Sequence, residues 1–482
     1  MSTGRTSVRW NAGGNILRSA LMTVQLLIVA RFLSVADFGL VILLVSLLQL
    51  AQNISDAGLS SALIRFRDVT EDEKSSLYWL NVSVGVVMAL MTVASSPFVA
   101  RFYAAPRLEA MLWIGSTLFV ANGFYLQLRV LAERDLRFDT IIKVEVGAST
   151  LGFLVTVGLT VAKVGPFSVI WGQVATSISL LILAWLMLAR AWRPSLHFAW
   201  ADVRRFVPYG LDMLLVNAAI SFTVQLDLLI AGVFFTKQQF GSFGQPRDLS
   251  MKIMTAINPV ISRVGLPLMA REQHDPVRVG QIYLRVIRMS CSVCFPVYAA
   301  LGLLGADVLP AVLGERWRGA GLLLPYISLW FALRSAVNPL GTYMYALGKS
   351  RAALYYQLAF AGLVAVAAWA GSRYGPIALS LGMAGVYLVF IEVAWVAVLR
   401  PMSSVGFVEY HRQILAPGVP VIGAVITVLL ARLFAGGALL ERTALSLASG
   451  GMVFMVMSLL LNREGVDEIV GLVRSKTRIP TA

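Results

Sequence analysis

Runs of about twenty consecutive apolar residues recur from one end of this 482-residue chain to the other. A run of that length crosses hydrocarbon as a helix, because hydrocarbon offers no partner to a bare backbone N–H or C=O. About fourteen candidate spans can be placed, near 11–33, 38–62, 76–100, 108–130, 140–162, 166–190, 207–234, 240–264, 281–305, 320–346, 353–372, 376–399, 414–434 and 443–461. Composition agrees. Hydrophobic residues make up 58% and charged residues 13%, and mean hydropathy is +0.77. A soluble core could not hide that much apolar surface. The expected fold class is an all-α polytopic membrane protein.

Two stretches echo each other. Trp10 to Arg67 and Phe206 to Arg271 each open with a long apolar helix, turn at a Phe-Gly pair and run into a second apolar helix. Phe32, Ser34, Phe38 and Gly39 in "ARFLSVADFGL" match Phe234, Thr236, Phe240 and Gly241 in "GVFFTKQQFGS", and Asn15 matches Asn217. One offset, 240 − 38 = 202 residues, superposes them all, the mark of an internal repeat of several helices. In membrane transporters, duplicated halves usually enclose the substrate path. The expected division is a lobe over 1–190, a linker over 191–205, a second lobe over 206–400, and two further helices with a tail over 401–482.

The net charge of +15 would suggest nucleic acid in a soluble protein. Here the basic residues sit between helices, where they fix topology, and no nucleic-acid partner is expected. With the N-terminus inside, most of the 40 lysines and arginines fall on the cytoplasmic side, so both termini are expected there. Nothing resembles a cleavable signal peptide, and the first helix is expected to remain as an anchor. Outer loops such as "FYAAPRLEA" and "AKVGP" are only a few residues long, whereas membrane-embedded glycosyltransferases and polymerases generally need a sizeable one.

Catalytic chemistry has little to draw on. The three histidines, His197, His274 and His411, fall in expected cytoplasmic segments. No carboxylate pair, Cys-His arrangement, zinc spacing or nucleotide-binding glycine loop is present, so no cofactor or metal is expected. Cys291 and Cys294 form a Cys-x-x-Cys without a second ligand pair and read as small apolar filler. The expectation is a transporter, drawing on a gradient or a partner.

Charges within the spans are the candidate site, because ionisable groups in hydrocarbon usually face a cavity or a partner. Arg18 lies roughly 10 Å into the first helix. Arg247 lies at similar depth in the eighth, and Arg334 is near the middle of the tenth. These three are expected to bind substrate. Asp212 and Asp227 lie on the seventh helix within about 60° of one face. Asp248 and Lys252 are four apart and can pair along the eighth. Glu392, in the twelfth, reads as a proton or cation site or as an arginine partner. Asp212, Asp227, Lys252 and Glu392 are the candidate ion or charge-partner sites. Pro259, Pro296, Pro325 and Pro339 lie inside spans as kinks, and the small residues of "GASTLGFLVTVG" and "LSLGMAGVYL" allow close helix approach.

The pattern "ARFLSVADFGLVILLVSLLQLAQNISDAGLSSALIR" resembles the N-terminal signature of bacterial polysaccharide exporters of the Wzx type, in the superfamily that also holds the MATE drug exporters. "LRVLAERDLRFDTIIKVEV" resembles that family's connection between helices 4 and 5. "FGSFGQPRDLSMKIMTAINPVISRVGLPLMAREQHD" resembles its helix 7–8 region, with Arg247 matching the family arginine; Phe243 and Asp248 replace its tyrosine and alanine. The resemblance covers roughly residues 10–400. It implies two six-helix lobes, MATE-like, plus two C-terminal helices, working by alternating access. The implied substrate is an oligosaccharide on a polyprenyl pyrophosphate, flipped to the periplasmic face of the bacterial inner membrane. Besides membrane lipids, the implied partners are the pathway's polymerase and glycosyltransferases. A MATE-like ion-coupled exporter of small molecules is one alternative, and a non-transporting scaffold for glycan assembly is another.

Overall fold

In the computed structural model, residues 2–55, 63, 66, 68–190, 192–434, 439–468 and 471 are described. No strand occurs among them. Among the described residues fourteen long helices succeed one another: α1 Ser2–Phe32, α2 Val35–Ser55, α3 Glu71–Phe102, α4 Arg107–Arg134, α5 Phe138–Val161, α6 Phe167–Met187, α7 Val207–Phe234, α8 Lys237–Arg271, α9 Pro276–Leu313, α10 Arg318–Val337, α11 Ser350–Arg373, α12 Pro376–Val393, α13 Phe407–Phe434 and α14 Leu439–Leu461. Among the described residues, twelve helices are long and apolar enough to cross a membrane, against about fourteen expected. The long helices outside that set are α1 and α8, which carry Arg18 and the trio Arg247, Asp248 and Lys252. Large apolar side chains stand exposed along the spans, among them Leu90, Phe98, Val366 and Leu429, as a surface solvated by lipid requires.

Sequence dictates the helix starts. Thr70 caps α3: its hydroxyl accepts the Glu73 N–H, and the Glu73 carboxylate accepts the Thr70 N–H at 2.9 Å. The repeat shows the same local chemistry twice. Helix α1 ends at Phe32 and α7 at Phe234, while α2 begins at Val35 and α8 at Lys237; each pair is 202 apart. Ser34 accepts the Asp37 N–H at 3.0 Å, and Thr236 accepts the Gln239 N–H at 3.2 Å. Gly39 and Gly241 then meet back to back. A Cβ on Gly39 would stand 2.6 Å from the Lys237 carbonyl oxygen, and one on Gly241 would stand 1.9 Å from that of Val35. The Phe-Gly pairs are spacers for this close approach.

The chain forms two compact units, one of residues 1–241 with 312–314 and the other of 242–311 with 315–482. In the first, α3 packs on α4, and α5 packs on both α6 and α1. Helix α7, which the repeat groups with the second half, packs on α2. The α5–α6 contact uses the small residues singled out in "GASTLG". A Cβ at Gly152 would fall 1.8 Å from Thr176 Oγ1, and one at Gly172 would fall 1.7 Å from Thr156 Oγ1. The segment before α7 is pinned along α3. Ser76 donates to Asp202 at 2.8 Å, Trp79 donates to the Ser195 carbonyl at 2.8 Å, and Arg205 reaches Glu73 at 2.7 Å.

In the second unit, α13 packs on α14, and α12 packs on α10 and α11. Pro259, Pro296 and Pro325 lie inside continuous helices. Pro339 instead restarts the chain after α10 as a short helix, Pro339–Ala346. Cys291 and Cys294 are free thiols buried in α9.

Candidate functional site

Helices α1, α4, α5 and α6 of the first unit surround a cavity of about 540 Å³. Arg18, Arg129, Glu133 and Glu145 line it, with Asn122 and Tyr125 beside them. Glu145 is the hub. One carboxylate oxygen accepts Arg18 Nη1 at 2.9 Å, and the other accepts Arg129 Nε at 3.1 Å. Arg129 also pairs with Glu133, one turn along α4, at 2.8 Å. The Glu145 side chain is 13% exposed, and those of Arg18 and Arg129 are 39% and 35% exposed. Two arginines and two carboxylates balance in charge, which makes this much polarity tolerable inside a helical bundle. Arg18 spends a single N–H on Glu145, and a guanidinium has five. The Tyr125 hydroxyl is buried without a hydrogen-bond partner. The cavity therefore offers donors to an anion while holding its own counter-charges.

Arg247 and Arg334 belong to the second unit. Arg247 is 3% exposed on α8. Arg334, half-buried on α10, holds its guanidinium 5.6 Å from the Phe331 ring centre and 5.9 Å from that of Tyr387, within cation–π range. Asp248 and Lys252 pair along α8 at 2.8 Å. On α7, Asp227 is buried and Asp212 exposed. Fifteen residues of helix separate them by about 22 Å, so they do not act on one ligand atom. Glu392 meets His411 of α13 at 2.8 Å. Arg18 takes Glu145 as its partner, a carboxylate not weighed from the sequence. Glu145 and Glu133 both stand in "LRVLAERDLRFDTIIKVEV", and their 12-residue spacing across the α4–α5 turn was the available signal. Among the described residues, no group of three or more His, Cys, Asp or Glu is arranged to hold a metal ion.

A bundle of membrane-length helices with a charged cavity inside one unit defines a multi-pass membrane protein built around an internal polar site. The chain belongs to the polysaccharide biosynthesis protein family, whose profile matches residues 28–321. It is 25% identical to the lipopolysaccharide biosynthesis protein WzxC of Escherichia coli (strain K12) over 424 residues, covering 86% of this chain and 84% of the relative. The fold is that of the lipid II flippase MurJ in an inward closed conformation, with a TM-score of 0.73 at 10% identity over 95% of this chain and 99% of that one. An inward-facing multidrug resistance MATE family transporter of the MOP superfamily matches with a TM-score of 0.57 at 14% identity, over 84% and 99%. The Wzx-type resemblance and the MATE-like helical fold read from the sequence both stand.

Proposed function

We propose that this protein is a flippase. It moves a polyprenyl-pyrophosphate-linked oligosaccharide from the cytoplasmic to the periplasmic face of the bacterial inner membrane, for export of a surface polysaccharide. The observation that carries the reading is the Arg18–Glu145–Arg129 cluster on a cavity of about 540 Å³ within a family of polysaccharide biosynthesis proteins. A sugar head crosses hydrocarbon only if its polar groups find partners, each unpaired one costing several kcal/mol, about 2–7 by reference state. Arginine forks suit a pyrophosphate.

In this reading Arg18 anchors the anionic head in the first unit, with Arg247 and Arg334 its counterparts in the second. Lobes over 1–190 and 206–400 alternate access, 401–482 adds the last two helices, and both termini lie in the cytoplasm. Polymerase and glycosyltransferases of the same pathway hand on and receive the substrate. The mechanism is transport, with no bond made or broken.

The test is charge-conserving. In cells lacking the chromosomal copy, Arg18→Lys, Arg247→Lys and Arg334→Lys should insert and accumulate normally yet export polysaccharide poorly. Unimpaired export by all three removes the arginine role.

One observation favours a second reading. Glu133 and Glu145 line the same cavity, as an ion-coupled exporter of small cations would need. Uptake of cationic dyes into inverted vesicles, abolished by Glu145→Gln, would select it over the flippase.

A further inference from the structure

A second cavity, of about 290 Å³, adjoins the charged one, and Met22, Ser149 and Thr176 line both. Its lining holds no charged and no aromatic side chain. Instead it gathers four glutamines, Gln25 of α1, Gln49 and Gln52 of α2 and Gln173 of α6, with the hydroxyl residues Thr176 and Ser177. Helical spacing puts them there. Arg18, Met22 and Gln25 follow at i, i+4 and i+7 on α1, so one face of that helix passes from charged to amide. Gln49 and Gln52 share a face of α2, and Gln173, Thr176 and Ser177 one of α6. Behind them, Gln225 of α7, nearly buried, donates its amide N–H to Gln49 Oε1 at 2.7 Å. That bond engages the carbonyl end of the Gln49 amide.

Amides in the wall of a membrane-embedded bundle are costly unless something answers them. Each glutamine carries two donors and a two-lone-pair acceptor, the chemistry that matches hydroxyls, which both give and accept. The absence of charge makes this a poor ion site, and the absence of rings leaves hydrogen bonding as the means of recognition. We propose that this amide-lined cavity is a sugar subsite, reading the hydroxyls of the glycan while the adjoining arginines hold the pyrophosphate. The proposal rests on the flippase reading above and assigns specificity for the glycan to α1, α2 and α6 of the first unit.

The test uses purified protein in proteoliposomes and two probes: the polyprenyl-pyrophosphate-linked oligosaccharide extracted from the host, and its precursor bearing one sugar. The variants are Gln25→Leu, Gln49→Leu, Gln52→Leu and Gln173→Leu combined, the same four changed to Asn, and Gln25→Leu and Gln52→Leu singly. The combined Leu variant should flip the oligosaccharide at least about tenfold more slowly and the precursor within about twofold of wild type. The Asn variant should recover part of the loss. If the combined variant does not purify as a monodisperse protein, the two single variants must show the same selective loss. Equal effects on both probes, or no effect on either, overturn the subsite and leave the flippase reading intact. Wild-type protein that moves neither probe overturns the flippase reading and the subsite with it.

Discussion

Replacing Glu145 by leucine should destabilise the first unit more than removing Arg18, which has Glu145 as its single carboxylate partner among the described residues. Glu145 accepts from Arg18 at 2.9 Å and from Arg129 at 3.1 Å. A charge-assisted hydrogen bond contributes about 1.5–3 kcal/mol. With arginine side chains 39% and 35% exposed, screening lowers each to about 1 kcal/mol. Glu145→Leu therefore costs about 2 kcal/mol, and Arg18→Leu, which leaves Glu145 paired with Arg129, costs about 1 kcal/mol. The double variant loses nothing more than Glu145→Leu alone. Its cost should be about 2 kcal/mol, short of the additive sum by about 1 kcal/mol of coupling. Titration of the purified protein with SDS in mixed micelles, followed by tryptophan fluorescence, measures all three. An Arg18→Leu as costly as Glu145→Leu, or a double variant that is simply additive, would refute the hub.

Three further outcomes follow from the packing. Gly152→Val should cost about 1–3 kcal/mol by overpacking, since its Cβ meets Thr176 Oγ1 at 1.8 Å and the Gly172 carbonyl oxygen at 2.9 Å; the same titration reads it, and Thr176→Ala should rescue only part, because the carbonyl remains. Hydrogen bonds from Ser76 and then His197 hold the Asp202 carboxyl below its ordinary range. With the folded value depressed, the docking they support is complete above the unfolded carboxylate value of about 4 and fades as pH falls through the lower folded value. Protection of backbone amides over residues 192–206, taken relative to their intrinsic exchange rate at each pH, should fall in that acidic window in wild type, and protection that does not change with pH there would refute it. Reporter fusions at Met1 and Ala482 should both give cytoplasmic signals, and an outside signal from either end would overturn the orientation drawn from basic residues.

Much of the fold was legible because lipid imposes it. Apolar runs marked the twelve helices that are long and apolar enough to cross a membrane among the described residues, and α7 spans the very range read from sequence, Val207–Phe234. Charge inside a run does not stop a helix forming, and α1 and α8 form around Arg18 and Arg247. The repeat was legible in Ser34 and Thr236, whose hydroxyls do the same capping work. It did not reveal that Gly39 and Gly241 touch, because a close backbone approach between distant segments leaves only a glycine as its trace. Arg18 was found by its depth. Its partner Glu145 was not, because a carboxylate near a helix start reads as solvated until α1 is seen packed against α5. The amide cavity escaped for a related reason: four glutamines spread over three helices do not point to one another until the helices are assembled.

The central claim is that this protein moves a lipid-linked oligosaccharide across a bilayer, and the most direct test is that movement itself. Purified protein in sealed proteoliposomes would be loaded with the host's polyprenyl-pyrophosphate-linked oligosaccharide. An externally added, membrane-impermeant lectin would report how much of the glycan becomes accessible over time. The account predicts protein-dependent exposure of the inner-leaflet pool, slowed by Arg18→Lys and absent from protein-free liposomes. An inner pool that stays sealed with wild-type protein in the bilayer would contradict it.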